Sequence, residues 1–220
     1  MKTDIILDRL ALVLIAITLV AAFVIAQVSP EYFQDEFANE DRLVENGTAI
    51  FLFVAALVLF WRAARFAGNG ARTAAGLTVL YALLFVFAAG EEISWGQRIF
   101  GWGTPEFFAE NNYQNETSLH NLTVGGYRLG RTLFGSVLTA VLLLYLVVLP
   151  LLYRRVGVIT RLADRLAVPV PRMHHGVIAV LASLVVAAID ARRNWEVYEL
   201  VFALLAVSIF LRPQTRDRND

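Results

Sequence analysis

The sequence contains no cysteine, and Lys2 is its only lysine among 220 residues. The absence of cysteine excludes disulfides and thiolate metal sites, and it leaves the redox compartment open. Charged residues make up 17% of the chain, below the roughly 25% typical of soluble domains. Basic and acidic residues balance at 19 each, and no long basic tract is present. The composition therefore argues against a nucleic-acid partner.

Apolar residues are abundant and occur in blocks. Hydrophobic residues account for 58% of the chain, and the mean hydropathy is +0.60. A membrane-spanning helix needs about 20 mostly apolar residues. We therefore predict an all-α polytopic membrane protein with one transmembrane domain over residues 1–220 and the lipid bilayer as its surroundings. The six predicted spans are residues 10–28, 48–64, 73–92, 132–153, 173–189 and 195–211.

The distribution of basic residues predicts the orientation. With both termini in the cytoplasm, thirteen of the nineteen basic residues lie on the inner side, and fourteen of the nineteen acids lie on the outer side. Basic residues favour the cytoplasmic side of a membrane. We therefore expect a plasma (inner) membrane protein with both termini inside. Residues 154–172 are basic, lie on the inner side and are compatible with an amphipathic helix that ends at the Pro-Val-Pro of residues 169–171.

The stretch FAAGEEISWGQRIFGW, residues 87–102, places two adjacent glutamates at the outer end of the third span. From residue 74 to Glu91 a helix covers roughly 26 Å, so both carboxylates lie near the edge of the hydrocarbon core. If the helix continues, Glu91, Trp95 and Arg98 share one face. Gly96 permits close approach of another group there. Ionisable residues at membrane depth indicate a functional site, although an ordinary interfacial aromatic belt also explains such residues.

Two further polar clusters are predicted on the same side. The segment NNYQNETSLHNL, residues 111–122, contains His120, and the tip DARRNWEVYE, residues 190–199, joins the last two spans. We expect the three clusters to form one outward-facing pocket. Its predicted catalytic residues, which are also its candidate metal ligands, are Glu91, Glu92 and His120. Its predicted binding residues are Ser94, Trp95, Gln97, Arg98, Asn115, Glu116, Asn121, Asp190, Arg193 and Glu196.

These residue types are compatible with two classes of function. Glutamate and histidine can activate water directly or through a divalent metal such as zinc, and Arg98 or Arg193 could hold a phosphate or an oxyanion. The first hypothesis is a hydrolase or transferase that acts on a lipid, lipid-linked or membrane-tethered substrate. The alternative is a scaffold or small transporter that uses the same polar face. The first, second and fourth spans show no ionisable residue or helix break near the midplane, which favours the scaffold over the transporter.

Two resemblances rest on the same residues. GEEISWGQR, followed by TPEFF and LHN over residues 90–121, resembles a motif string of uncharacterised bacterial multi-pass membrane proteins, and it implies no activity. The paired glutamates also resemble those of the CAAX-type intramembrane proteases, which carry two glutamates, three residues and then an arginine. Here five residues separate Glu92 from Arg98, and the histidine motifs of those proteases are absent.

Overall fold

A computed structural model describes residues 2–130 and 137–215 of the chain, and these residues form an all-α fold. The long helices are α1 (Lys2–Val28), α3 (Leu43–Gly68), α4 (Arg72–Glu92), α10 (Met173–Ala187) and α11 (Asn194–Leu211). Shorter helices are α2 (Pro30–Tyr32), α5 (Gln97–Phe100), α6 (Glu106–Asn111), α7 (Leu138–Leu143), α8 (Leu149–Leu152) and α9 (Gly157–Arg165). A short hairpin pairs two strands of two residues each, β1 (Thr123–Val124) and β2 (Tyr127–Arg128).

Four of these helices are long and apolar enough to cross a membrane, and this confirms the prediction of a helical protein with several apolar helices. They are α1, α3, α4 and α11. Two shorter apolar helices, Leu138–Leu152 and Met173–Ala187, coincide with the fourth and fifth predicted spans. The first part of the predicted fourth span, residues 132–136, lies outside the described residues. The prediction of six membrane crossings therefore remains a prediction.

Helix α11 forms the centre of the packing. Its residues from Leu200 onwards are almost all buried, and Leu204, Leu205 and Ile209 are fully enclosed. Helix α3 approaches it closely, because a Cβ added at Gly47 would lie 3.2 Å from Leu200 Cδ1. The opposite pattern holds for α1, which buries few residues and exposes Val13, Ile17 and Val20. Exposed apolar side chains along a helix of this length match a lipid-facing surface.

The described contacts divide the bundle into two ends. The loop end carries residues 29–42, 93–130 and 188–193, which are joined by contacts such as the 2.8 Å ion pair between Arg193 and Glu40. The opposite end carries residues 69–71 and 153–172 together with the first turns of α1 and the last turn of α11. There Arg212 Nη1 lies 2.9 Å from Asp8 Oδ2. This arrangement places both predicted glutamates at the loop end.

The opposite end contains a buried polar network that the sequence analysis did not foresee. Asp8 accepts hydrogen bonds from Ser208 Oγ at 2.6 Å and from Arg212. His175 Nε2 lies 2.9 Å from the same Ser208 oxygen, and His175 Nδ1 accepts from the backbone N–H of Arg172. Because the Ser208 proton goes to Asp8, His175 donates from Nε2 and is neutral. The network ties α1, α10 and α11 together.

The fourth apolar helix is interrupted, which corrects the expectation of an unbroken fourth span. A π-helical turn over Leu144–Val148 separates α7 from α8. Pro150 lies two residues after this turn and has no N–H to donate to the Leu146 carbonyl. That carbonyl faces Gly176 of α10, where an added Cβ would lie only 2.7 Å from the oxygen. A proline and a glycine on neighbouring helices thus permit an irregular turn within a close helix contact.

Candidate functional site

The chain reverses direction directly after the two glutamates. Helix α4 ends at Glu92, and Ser94, Trp95 and Gly96 all have positive φ, at 46°, 55° and 80°. The helix does not continue beyond Glu92, so Glu91, Trp95 and Arg98 do not share a helical face. The turn folds the Trp95 ring back onto Gly90, where an added Cβ would lie 2.9 Å from Trp95 Cε3. Glycine at position 90 is thus required by the ring, since any side chain would collide with it.

The Glu91 carboxylate anchors the loop to the end of α4. It is 5% exposed, and Oε1 accepts the Trp95 indole N–H at 2.8 Å. Oε2 accepts the backbone N–H groups of Leu119 at 2.6 Å and His120 at 3.1 Å. The His120 ring nitrogen Nδ1 lies 3.4 Å from the same oxygen. A buried carboxylate must be hydrogen-bonded to be tolerated, and these partners occupy both oxygens of Glu91.

The residues after Glu92 hold the same loop along its length. Ser94 Oγ donates to Glu116 at 2.5 Å. Gln97 accepts the Thr117 backbone N–H at 2.7 Å and donates to Thr104 Oγ1 at the same distance. The Thr104 hydroxyl in turn donates to the Asn115 carbonyl at 2.6 Å. Four predicted site residues therefore act here as supports of the loop: Ser94, Gln97, Asn115 and Glu116.

The loop is also joined to the remaining polar segments. Asn121 donates to Gln114, whose amide donates to Glu40, and Glu40 pairs with Arg193 from the tip before α11. Buried Asn112 donates to the Ser118 carbonyl at 2.8 Å inside the loop. The structure thus brings residues of all three predicted clusters into one hydrogen-bonded assembly. Asp190 lies on this end as an exposed residue.

Arg98 is surrounded by carboxylates. Its guanidinium lies 2.6 Å from Glu116, 2.8 Å from Asp41 and 3.4 Å from Glu45. Arg193 is likewise paired with Glu40. Either arginine was a candidate to hold a phosphate or an oxyanion, but three carboxylates at Arg98 leave no positive excess there. An anionic ligand is therefore disfavoured at this position.

Glu92 points away from Glu91 and joins a different group of side chains. Its charge interacts with those of Glu196 on α11 and Glu45 on α3, and Glu199 of α11 interacts with all three. The Glu196 and Glu199 side chains are neighbours on α11 and interact electrostatically. We refer to Glu45, Glu92, Glu196 and Glu199 as the acidic cluster. Within the described part of the chain, Glu92 and Glu199 form no ion pair with a basic side chain.

Two members of the acidic cluster were missing from the sequence-predicted site. Glu199 lies three residues after Glu196, so the two share one face of α11, and this spacing is visible in the sequence. Glu45 lies just before the second predicted span, but nothing in the neighbouring sequence marks it as a neighbour of Glu92. The helix packing that joins them depends on the contact between α3 and α11 near Gly47 and Leu200.

The predicted metal ligands do not form a set. Among the side chains that the structure describes, no three histidine, cysteine, aspartate or glutamate residues are placed to hold a metal ion together. Glu91 and His120 lie on the loop side of the end of α4, whereas Glu92 faces the acidic cluster. The geometry therefore separates the three predicted catalytic residues into two environments.

Comparisons with protein-family models, with curated proteins and with solved structures find no match to this chain. The resemblances carried by residues 90–121 therefore remain predictions.

The different environments of Glu91 and Glu92 give a direct test. Glu91→Gln replaces a carboxylate that accepts several N–H groups, and each hydrogen bond to a charged group is worth about 1.5–3 kcal/mol. We expect amide hydrogen exchange at residues 117–122 to become roughly tenfold to a hundredfold faster. Glu92→Gln is the matched control, since it makes the same chemical change one residue away, and it should leave these amides protected. Equal protection in the two variants would contradict the assignment of Glu91 as the anchor.

Proposed function

We propose that the chain is a plasma-membrane protein of six spans, with both termini inside and the loop end outside. The arginine distribution supports this orientation, and exposed aromatic rings at the loop end suit a membrane–water interface. Trp102 stacks on Phe100 with centroids 5.5 Å apart, and both rings are exposed. The two shorter apolar helices, Leu138–Leu152 and Met173–Ala187, would then be the fourth and fifth spans.

The absence of cysteine makes this orientation simple to test. Single cysteines at exposed Glu106 and exposed Asn69 lie at the loop end and the opposite end, respectively. A membrane-impermeant maleimide added to intact cells should label Glu106→Cys and leave Asn69→Cys unlabelled until the cells are opened. Labelling of Asn69→Cys in intact cells would contradict the proposed orientation.

We propose further that the acidic cluster exchanges a proton for a small cation, which its negative charge would attract without a set of metal-coordinating side chains among the described residues. The observation that carries the proposal is the convergence of four glutamates from three helices at the end of the spans. Neighbouring carboxylates repel one another, and this repulsion is relieved by protons or by a bound cation. Ionisable residues at this depth are costly and typically mark ion or proton sites. Such a site suits a transporter or a cation-responsive membrane protein.

Two details support a site that can exchange its ligand. The Glu196 and Glu199 carboxyl groups interact electrostatically, and a proton on one of them would relieve their mutual repulsion. Glu92 is half-buried, and Glu199 is exposed at the surface of the bundle. Glu91, by contrast, is already occupied by its N–H donors.

A hydrolase or transferase is the second candidate. A carboxyl pair that shares a proton is a common arrangement for general acid and base catalysis. In that case Glu92, Glu196 and Glu199 would carry the chemistry, and Glu91 with His120 would position the loop. The substrate would then be neutral or cationic at the reacting group, since the carboxylates around Arg98 disfavour an anion.

Proton release on cation binding tests the first candidate. Detergent-purified protein in weak buffer receives sodium, potassium or ethanolammonium chloride, with N-methylglucamine chloride as the bulky reference at equal ionic strength. A pH indicator reports the released protons. We expect at least one of the small cations to release protons from the wild-type protein, and Glu92→Gln/Glu199→Gln to abolish the release.

The matched control is Glu36→Gln/Glu106→Gln, which removes two exposed acids from the same end. It should release protons as the wild type does. Thermal unfolding of all three proteins checks that they remain folded. No release from the wild type, or undiminished release from the Glu92/Glu199 variant, would overturn the proposal. Turnover of a lipid substrate without cation-linked release would favour the enzyme.

A further inference from the structure

A groove runs along the interrupted fourth apolar helix at the opposite end of the bundle. Its cavity has a volume of about 360 Å³ and is lined by apolar side chains, among them Leu144, Val148 and Leu152 of the helix and Ile159 of α9. Leu144 is 58% exposed, so the groove opens to the outer face of the bundle. This size is within the range of small-ligand sites.

Helix α9 closes one end of the groove. The chain turns at Tyr153 and Arg154, and the Tyr153 hydroxyl donates to Asp164 at 2.8 Å. The Thr160 hydroxyl accepts the Arg154 backbone N–H at 3.0 Å. These bonds hold α9 against the end of α8, and Ala163 of α9 is buried. The groove and the helix therefore form one surface.

The outer side of α9 combines apolar and basic side chains. Val158, Leu162 and Leu166 follow one another at four-residue spacing and are 64%, 55% and 39% exposed. Around them lie three exposed arginines that form no ion pair or side-chain hydrogen bond with any residue in the described ranges 2–130 and 137–215. They are Arg155, Arg161 and Arg165.

The charge of this segment is unbalanced. Asp164 is its only acid, and it is taken by the Tyr153 hydroxyl. An amphipathic helix with arginines beside an apolar stripe lies in the membrane interface and attracts anionic lipids. A neighbouring apolar groove adds a place for an acyl chain.

We infer that this surface is a binding site for an anionic phospholipid. One acyl chain lies in the groove beside Leu144 and Val148, and the headgroup phosphate lies among the arginines of α9. Arginine recognises phosphate through paired N–H groups, and the groove contributes apolar burial. The site is separate from the acidic cluster and does not depend on its proposed function.

Native mass spectrometry of the purified protein tests the site. The probes are phosphatidylglycerol and phosphatidylcholine with identical acyl chains, titrated in the same detergent. We expect the wild-type protein to prefer phosphatidylglycerol. Arg161→Gln/Arg165→Gln should weaken phosphatidylglycerol binding by roughly fivefold for each arginine removed, and should weaken phosphatidylcholine binding less, because the choline cation offsets the charge of its phosphate.

Two further variants complete the experiment. Arg9→Gln/Arg72→Gln removes two exposed arginines from the same end but away from α9, and it should bind as the wild type does. Leu144→Trp fills the groove at an exposed position, and it should weaken both lipids. Equal binding of the two lipids to the wild type, or equal losses in the α9 variant and its Arg9/Arg72 control, would overturn the inference.

Discussion

The loop end depends on the burial of one charge. Glu91 ends the apolar part of α4, and its carboxylate is satisfied by the Trp95 indole and by the backbone of Leu119 and His120. A carboxylate in this position would be costly without these donors. The loop is therefore held to the helix end, and the bonds from Gln97 and Arg98 extend the attachment. Because the chain reverses at once, Glu92 is left to face the other helices.

The two ends of the bundle use polar groups differently. At the opposite end Asp8, Ser208 and His175 satisfy one another within a buried network, which is the usual arrangement for a structural lock. At the loop end Glu92 and Glu199 meet other carboxylates without a basic partner in the described structure. Such an arrangement is destabilising on its own. This convergence is the feature on which the proposed exchange of a proton for a cation is based.

Hydrophobic runs and charge counts were sufficient to predict an all-α protein with several membrane-length helices, because these features are local. The reversal after Glu92 was missed, since left-handed backbone at Ser94 and Trp95 is rare and is imposed by the packing of Trp95 on Gly90. The Asp8 network was missed because Asp8 and Ser208 lie 200 positions apart. The π-helical turn before Pro150 required a partner glycine on another helix. The Asp8 network and the π-helical turn involve contacts between distant segments, whereas the reversal after Glu92 involves a local contact of Trp95 with Gly90.

We propose that the acidic cluster holds an exchangeable proton. Infrared difference spectroscopy tests this directly, because the C=O stretch of a protonated carboxyl is separate from the stretching bands of a carboxylate. We expect an added cation to remove a protonated-carboxyl band from the wild-type spectrum and to raise carboxylate bands. We also expect Glu199→Gln to abolish this difference, while Glu36→Gln leaves it intact. A wild-type protein without a cation-sensitive carboxyl band, or an unchanged difference spectrum in Glu199→Gln, would contradict an exchangeable proton in the acidic cluster.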